Sequence, residues 1–289
     1  MSQATAKDST ARVTPSPIIN GNTKVVGIVA DPIGHVRTPQ AFNAFAAEHG
    51  INAVVVPLNV RPSEFAAAVK AFAKVRSMAG LVVTIPYKES ISPLCDELTE
   101  AARQVGAVNI VRFEHGEGGT ARLVGSNLDG EGFAGGLEAQ GHELAGRRVY
   151  LAGAGGAGKA IAHAMAAREV SAIGVYNRNT ERAAQLVAEL QRYYPRLNAH
   201  VASAQPSDYS IAINSTSLGL NEGDALPFPV DGLPAEALVA EAVMKVELTP
   251  LLAAARARGL RVHFGRYMME TQIERMVQFL GLQREHAAP

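Results

Sequence analysis

Residues 147–168, RRVYLAGAGGAGKAIAHAMAAR, are the segment that is most informative about the fold. Its first six residues predict a buried strand, and the residues after the last glycine predict an Ala-rich helix. The glycines between them let the backbone turn tightly and approach a pyrophosphate at the helix N-terminus. A tight turn without a ligand is the alternative, but the strand before and the helix after favour a ligand. The sequence therefore predicts that a dinucleotide is bound by Gly153, Ala154, Gly155, Gly156 and Ala157.

Short β-branched runs and Ala-rich amphipathic stretches alternate on both sides of this segment. Upstream, KVVGIVA, NAVVVPLNV and GLVVTI predict strands separated by two helices, and this βαβαβ order predicts a parallel sheet. A short helix around Asp96–Gln104, a hairpin of GAVNIVRF with ARLVG, and a bridging helix follow. The alternation then resumes and ends in a last helix that runs from Met268 toward Leu282. We predict an α/β fold with two domains. They are an N-terminal α/β substrate domain at 21–127 plus 265–289 and a Rossmann-like dinucleotide-binding domain at 128–264.

Composition narrows the class of protein. The 289 residues are 47% hydrophobic, which is enough for two domains with sizeable cores. Lys+Arg and Asp+Glu both number 27, and no basic stripe suggests nucleic acid or an anionic membrane as a partner. A single cysteine, Cys95, excludes an intramolecular disulfide and favours a cytoplasmic protein. Residues 1–20 lack the apolar centre of a signal peptide and predict a disordered tail.

The predicted strand after the glycine loop carries information about the cofactor. A cofactor with a free ribose 2′-hydroxyl usually meets an acidic residue at the end of this strand. Here the chain continues as Asn177-Arg178-Asn179-Thr180-Glu181-Arg182, with no acid at the strand end. Arg178 and Arg182 are suited to a 2′-phosphate because guanidinium groups bind phosphate with paired, charge-assisted hydrogen bonds. We therefore expect NADP, bound by Asn177, Arg178 and Arg182, with NAD as the alternative cofactor. If the two arginines bind no phosphate, they are explained as the solvated start of a helix.

Further motifs, taken in order, resemble those of the shikimate/quinate dehydrogenases from about Val25 to Leu282. The resemblance is carried by HVRTP (35–39), VTIPYK (83–88), GAVN (106–109), GSNLDG (125–130), GAGGAGKA (153–160), NRNTER (177–182), NSTSLG (214–219) and the run from Gly265 to Gln272. Together these motifs are far more specific than the glycine loop alone.

The resemblance implies an NAD(P)-dependent oxidoreductase that acts on a ring hydroxyl or ketone. When hydride leaves or joins the carbon, a proton must leave or join the oxygen, so an acid/base group is needed within hydrogen-bond reach. Lys88 matches the family's catalytic lysine, and Asp129 matches the aspartate that helps it hold the reacting hydroxyl. The resemblance also assigns substrate binding to Val36, Thr38, Thr84, Asn109 and Gln272. It assigns cofactor binding to Thr216, in a loop on the nicotinamide side (214–219), and to Gly265.

Three segments depart from the family pattern on the side that holds the substrate's carboxylate. In the substrate loop Val36 and Thr38 replace two serines, and in the lysine segment Val82 replaces an asparagine. The Asp-x-x-Tyr segment reads Glu241-Ala242-Val243-Met244, so that Met244 replaces the tyrosine. Each lost donor costs about 1–3 kcal/mol if the ligand group stays buried without a partner. We therefore expect weak binding of shikimate unless Arg37 or Arg266 takes over the carboxylate, or the true substrate carries a different polar group there.

The sequence thus predicts a shikimate dehydrogenase-like enzyme, acting reversibly on 3-dehydroshikimate and shikimate or on a related cyclic hydroxy acid such as quinate. A non-catalytic dinucleotide-binding or regulatory protein of the same fold is the alternative, and a scaffold protein that acts by association is a second. Retention of both Lys88 and Asp129 argues against them, because a sensor has no need of a proton-handling pair. We expect a small-molecule partner, no metal, and a homodimer as the candidate assembly.

Overall fold

The structure is a computed structural model and describes residues 18–34, 36–221 and 223–282. Most of the segment predicted to be a disordered tail (1–17), His35 of the predicted substrate loop, and the C-terminal residues 283–289 lie outside the described residues. No helix in the described part of the chain is both long and apolar enough to cross a membrane.

The N-terminal half forms a six-stranded mixed sheet. Its elements are β1 (Lys24–Ala30), α1 (Thr38–Glu48), β2 (Ala53–Asn59), α2 (Phe65–Phe72), β3 (Met78–Val83), β4 (Glu97–Leu98), α3 (Glu100–Val105), β5 (Ile110–Glu114) and β6 (Arg122–Ser126). The strand order is β2-β1-β3-β5-β6-β4. The pairs β1–β2 and β1–β3 are parallel as predicted, whereas β5 runs antiparallel to both β3 and β6. The predicted hairpin therefore extends the sheet instead of standing apart from it.

The C-terminal half forms a six-stranded sheet in which every pair is parallel. Its elements are α4 (Asp129–Ala139), β7 (Arg148–Ala152), α5 (Gly156–Ala167), β8 (Ala172–Tyr176), α6 (Thr180–Tyr193), β9 (Asn198–Val201), β10 (Ile211–Asn214), β11 (Leu238–Glu241), α7 (Pro250–Ala257), β12 (Arg261–His263) and α8 (Arg266–Phe279). The strand order is β12-β11-β10-β7-β8-β9. In such sheets ligands bind beyond the carboxyl ends of the strands, where the order reverses beside the first strand.

Helix α4 is held very close to two neighbouring helices by a run of glycines. A Cβ on Gly130 would lie 2.1 Å from the carbonyl oxygen of Ala160 in α5. On another face of α4, a Cβ on Gly132 would lie 3.0 Å from the Cβ of Gln272 in α8. Only glycine allows backbones to approach this closely. The glycines therefore fix α4, which begins with Asp129, against the helix that carries Gln272.

Most predicted elements are present, with differences where local patterns are weak. The predicted helix near residues 96–104 begins only at Glu100, because Thr99 accepts a hydrogen bond from the N–H of Ala102 and caps α3, while β4 precedes it. The last helix begins at Arg266, two residues before the predicted Met268. Strand β9 and helix α7 were not predicted, since each is short and β9 has only one buried residue.

Candidate active site

Asp129 is the centre of a cluster of polar side chains at the first turn of α4. Its Oδ2 accepts a hydrogen bond from Lys88 Nζ at 2.6 Å. Its Oδ1 accepts one from Asn109 Nδ2 at 2.7 Å and another from Gln272 Nε2 at 2.9 Å. These four residues come from the loop after β3, the segment before β5, α4 and α8. The structure thus brings together four residues that the sequence placed in separate motifs.

The carboxylate of Asp129 stays ionised although it is only 7% exposed. Burial raises the pKa of Asp129, but the charge of Lys88 and the hydrogen bonds from Lys88, Asn109 and Gln272 outweigh it, so the pKa lies below its usual range. Lys88 keeps 31% of its side chain exposed. The arrangement therefore presents a partly open ammonium group, fixed by a buried carboxylate, to whatever enters the site.

Backbone contacts hold this cluster in place. Asn109 uses its amide twice, donating to Asp129 and accepting the N–H of Leu128 at 2.9 Å. Asn127, a residue that the sequence analysis did not assign, accepts the N–H of Asp129 at 3.1 Å and donates to the carbonyl of Ala107 at 3.1 Å. Its signal was its place in the GSNLDG motif, next to the predicted aspartate. The start of α4 is thereby locked to the segment that carries Asn109.

The predicted substrate residues outside this cluster offer few donors. Thr38, the first residue of α1, is buried, and Val36 is half-buried against an apolar cluster that includes Phe42. Thr84 follows β3 and is half-buried, and its N–H donates to the carbonyl of Val29 at 3.2 Å. The residue types at Val36, Val82 and Met244 lack hydroxyl and amide groups. Met244 is 42% exposed in the loop after β11.

Arg266, one of the two candidates for binding a substrate carboxylate, already contacts other side chains of the protein. Its guanidinium forms an ion pair with Glu247 and lies 4.9 Å and 4.7 Å from the ring centres of Phe264 and Tyr267. Its Nη2 also donates to the hydroxyl of Tyr267 at 3.0 Å. Arg37, the other candidate, is exposed at the start of α1. The Nε of Arg266 also lies 4.0 Å from Glu270 Oε1, so Arg266 would have to leave four partners to bind a substrate.

The glycine loop has the geometry that a pyrophosphate needs. Gly153 has a φ of +107°, and a Cβ there would lie 2.6 Å from Ser215 Oγ. A Cβ on Gly158 would lie 2.2 Å from the carbonyl oxygen of Gly153. By contrast, Cβ atoms on Gly155 and Gly156 would meet nothing within 4 Å. Open space therefore lies at the N-terminus of α5, where backbone N–H groups have no partner within the helix.

The segment after β8 lies at the carboxyl end of the second sheet's strands, as the glycine loop after β7 does. The Oδ1 of Asn177 accepts the N–H of Ala154 at 3.2 Å and so ties this segment to the glycine loop. Asn179 caps α6 by accepting the N–H of Arg182 at 3.2 Å. Arg178 and Arg182 are both exposed, and neither forms an ion pair with a described residue. These residues fit a dinucleotide with an additional phosphate on its ribose.

The segment predicted to lie beside the nicotinamide is ordered by its own side chains. Asn214 Oδ1 accepts both the N–H of Thr216 at 3.0 Å and its Oγ1 at 2.7 Å. Gly265 packs against the loop after β11, since a Cβ there would be 2.1 Å from the carbonyl oxygen of Val243. Glu241, fully buried at the end of β11, binds Asn214 and was noted in the sequence only as part of a departing motif. No group of three or more potential metal ligands occurs among the described residues.

Comparison with known proteins agrees with this geometry. Residues 28–111 match the family model of the shikimate dehydrogenase substrate binding domain, and residues 137–219 match that of shikimate / quinate 5-dehydrogenase. The shikimate dehydrogenase (NADP(+)) of Rubrobacter xylanophilus is 38% identical over 257 residues, which cover 88% of this chain and 89% of the relative.

Solved structures are similar over nearly the whole chain. The shikimate 5-dehydrogenase of Listeria monocytogenes, in complex with shikimate and NAD, has a TM-score of 0.82 at 28% identity and covers 92% of this chain and 94% of its own. The ligand-free 5-ketofructose reductase of Gluconobacter sp. strain CHM43 has a TM-score of 0.81 at 30% identity and covers 89% and 92%. The predicted two-domain α/β fold and the predicted resemblance are confirmed, and the chain belongs to the shikimate dehydrogenase family of oxidoreductases.

Proposed function

We propose that this protein transfers a hydride reversibly between NADP and a ring hydroxyl or ketone of a small polyhydroxylated substrate. The observation that carries the proposal is the Lys88–Asp129 pair at 2.6 Å, held by Asn109 and Gln272. NADP is favoured over NAD by the name of the Rubrobacter relative and by the exposed Arg178 and Arg182.

The residues divide the chemistry between them. NADPH, when bound, supplies the hydride that reduces the ketone carbon. Lys88, as an ammonium, donates the proton that the ketone oxygen takes up, and solvent then reprotonates its amine. Asp129 holds Lys88 in place through a short, charge-assisted hydrogen bond to its own buried carboxylate. In the reverse direction the neutral amine of Lys88 accepts the hydroxyl proton.

Asn109 and Gln272 hold the aspartate and leave little freedom in its orientation. Both amides donate to the same oxygen, Oδ1, so Oδ2 is left to Lys88 and to a substrate hydroxyl. A fixed carboxylate and ammonium favour catalysis because they need no reorganisation when charge develops on the substrate oxygen. This proton-handling arrangement argues against a purely regulatory dinucleotide-binding protein.

The substrate side favours a second candidate within the same reaction: a neutral polyhydroxy ketone in place of a cyclic hydroxy acid. Val36, Val82 and Met244 offer no strong donor to a carboxylate, and Arg266 is engaged with Glu247. A reductase of 5-ketofructose is among the similar structures, at 30% identity. A neutral substrate needs no charge-assisted hydrogen bonds of the kind that hold a carboxylate, so the missing donors would not weaken its binding.

An activity screen tests both candidates. Shikimate, quinate and neutral keto-sugars with their alcohols should be assayed with NADP(H) and NAD(H), with Lys88→Ala as the control. Turnover of any of them that needs Lys88 supports the proposed reaction, and the ratio of kcat/KM between acid and neutral substrates decides the substrate class. Absence of cofactor binding and turnover across the whole panel would contradict it. A cytoplasmic location and a homodimer stay predictions, the second to be measured by light scattering.

A further inference from the structure

Glu241 is a carboxylate with no exposed surface at the end of β11, in the middle of the second sheet. Its neighbour in the parallel pairing is Asn214 at the end of β10, which is also fully buried. Glu241 forms no ion pair with any residue that the structure describes, and burial raises its pKa while hydrogen bonds from its neighbours oppose the rise. A buried charge without a counter-ion is costly, so it needs a function or strong compensation from hydrogen bonds.

The hydrogen bonds that described residues donate to this carboxylate come from three separate segments of the chain. Asn214 Nδ2 donates to Oε1 at 2.9 Å, and the N–H of Val243 donates to the same oxygen at 3.0 Å. Thr249 Oγ1 donates to Oε2 at 2.9 Å and also caps α7 by accepting the N–H of Leu252. Glu241 therefore joins the loop after β10, the loop after β11 and the start of α7.

The contact with Asn214 determines which way its amide points. The Nδ2 group donates to Glu241 and to the carbonyl of Leu218 at 2.9 Å. The Oδ1 atom is then directed to Thr216, where it accepts from both the N–H and the Oγ1. Thr216 Oγ1 in turn accepts the N–H of Leu218 at 3.1 Å. An ionised carboxylate only accepts hydrogen bonds, so it excludes the flipped amide, which would point its oxygen at Glu241.

The same loop touches the glycine loop. Ser215 Oγ donates to the carbonyl of Ala152 at 2.8 Å and to that of Gly153 at 3.2 Å. A shift of residues 214–219 would therefore also disturb the backbone at the start of the glycine loop.

We propose that Glu241 is a positioning residue, which fixes the amide of Asn214 and through it the Thr216 segment that lines the nicotinamide half of the cofactor site. The inference rests on the proposed function, because it takes NADP as the ligand of this loop. What matters in Glu241 is an accepting oxygen at Oε1, not the negative charge.

Two substitutions of Glu241 separate the effect of its accepting oxygen from the effect of its negative charge. Glu241→Gln removes the charge but keeps an accepting oxygen for Asn214 and Val243, and its NH₂ group can donate to the hydroxyl of Thr249. Glu241→Leu removes the acceptor at similar volume. We expect the NADP KM of Glu241→Gln to stay within about threefold of wild type and that of Glu241→Leu to rise about tenfold or more, with a smaller change in kcat.

Thr249→Val is the matched control, since it removes a hydrogen bond to the same carboxylate without touching Asn214. It should lower the melting temperature and leave the NADP KM unchanged. Hydrogen exchange of residues 211–219 in the cofactor-free protein gives a readout independent of turnover: exchange should accelerate in Glu241→Leu and not in Glu241→Gln. Thr216→Val, which leaves Glu241 intact, should reproduce the higher KM if Glu241→Leu folds poorly.

Three results would overturn the inference: a Glu241→Gln protein as impaired as Glu241→Leu, a Glu241→Leu protein with normal NADP KM and normal exchange, or a Thr249→Val protein with an equally raised KM. Failure of the proposed function gives a different pattern, in which the wild type neither binds NADP in calorimetry nor turns it over. The exchange measurement still reports on the contact between Glu241 and Asn214 in that case.

Discussion

Replacing Lys88 by alanine removes the only group in the described cluster that can deliver a proton to the substrate oxygen. Lys88 Nζ lies 2.6 Å from Asp129 Oδ2, and about a third of its side chain is exposed towards the site. Positioned acid/base groups contribute about 10²–10⁴-fold in rate, so kcat should fall by that factor. NADP affinity should stay nearly unchanged, because Lys88 belongs to the first sheet's loop and the glycine loop to the second.

The same substitution leaves a buried carboxylate without its cation. Asn109 and Gln272 still donate to Asp129, and Lys88 is partly exposed, so we expect a loss of only about 1–3 kcal/mol in the free energy of unfolding. The pKa of Asp129 is lowered in the folded protein, so its stabilising contribution is present above the unfolded pKa and disappears as pH falls through the folded value. The stability difference between wild type and Lys88→Ala should therefore narrow on acidification.

The assay is steady-state kinetics with the best substrate of the screen, NADP titration by calorimetry, and denaturant unfolding at several pH values. Lys74→Ala, at an exposed lysine after α2, is the matched control and should behave as wild type in all three. A loss of kcat smaller than about tenfold would refute the assignment of Lys88 as the proton donor.

Three further variants test the cofactor side, the substrate side and the close packing at Gly265. Replacing both Arg178 and Arg182 by alanine should raise the KM for NADP and leave that for NAD nearly unchanged; a native enzyme that strongly prefers NAD would contradict the reasoning. Val36→Ser combined with Met244→Tyr should lower the KM for shikimate, by about fivefold for each restored donor; efficient wild-type turnover of shikimate would contradict this. Gly265→Ala would place a Cβ 2.1 Å from a backbone carbonyl oxygen, so it should destabilise the protein, and an unchanged melting temperature would show that this close approach is not required.

The amino-acid sequence was sufficient to predict the class of fold and the type of chemistry. Strand periodicity and the glycine loop at 153–158 are local features, since they depend on backbone geometry within a few residues, and both are present as predicted. The roles of Lys88 and Asp129 were predicted from the resemblance of their motifs to those of a known family, because a lysine after a strand is by itself equally consistent with a surface charge. Weakly patterned segments such as β9 were missed because a four-residue strand with one buried residue has no clear period.

The contacts among these side chains became known only from the tertiary structure. Lys88, Asn109 and Gln272 are 41, 20 and 143 residues from Asp129 along the chain, yet all three donate to its carboxylate. Their meeting depends on the close packing of α4 against α8, which is a property of two surfaces and not of either sequence segment. The same reason applies to Glu241, whose partners come from separate loops. Hydrogen bonds between distant segments exist only after the chain has packed, so no local pattern can reveal them.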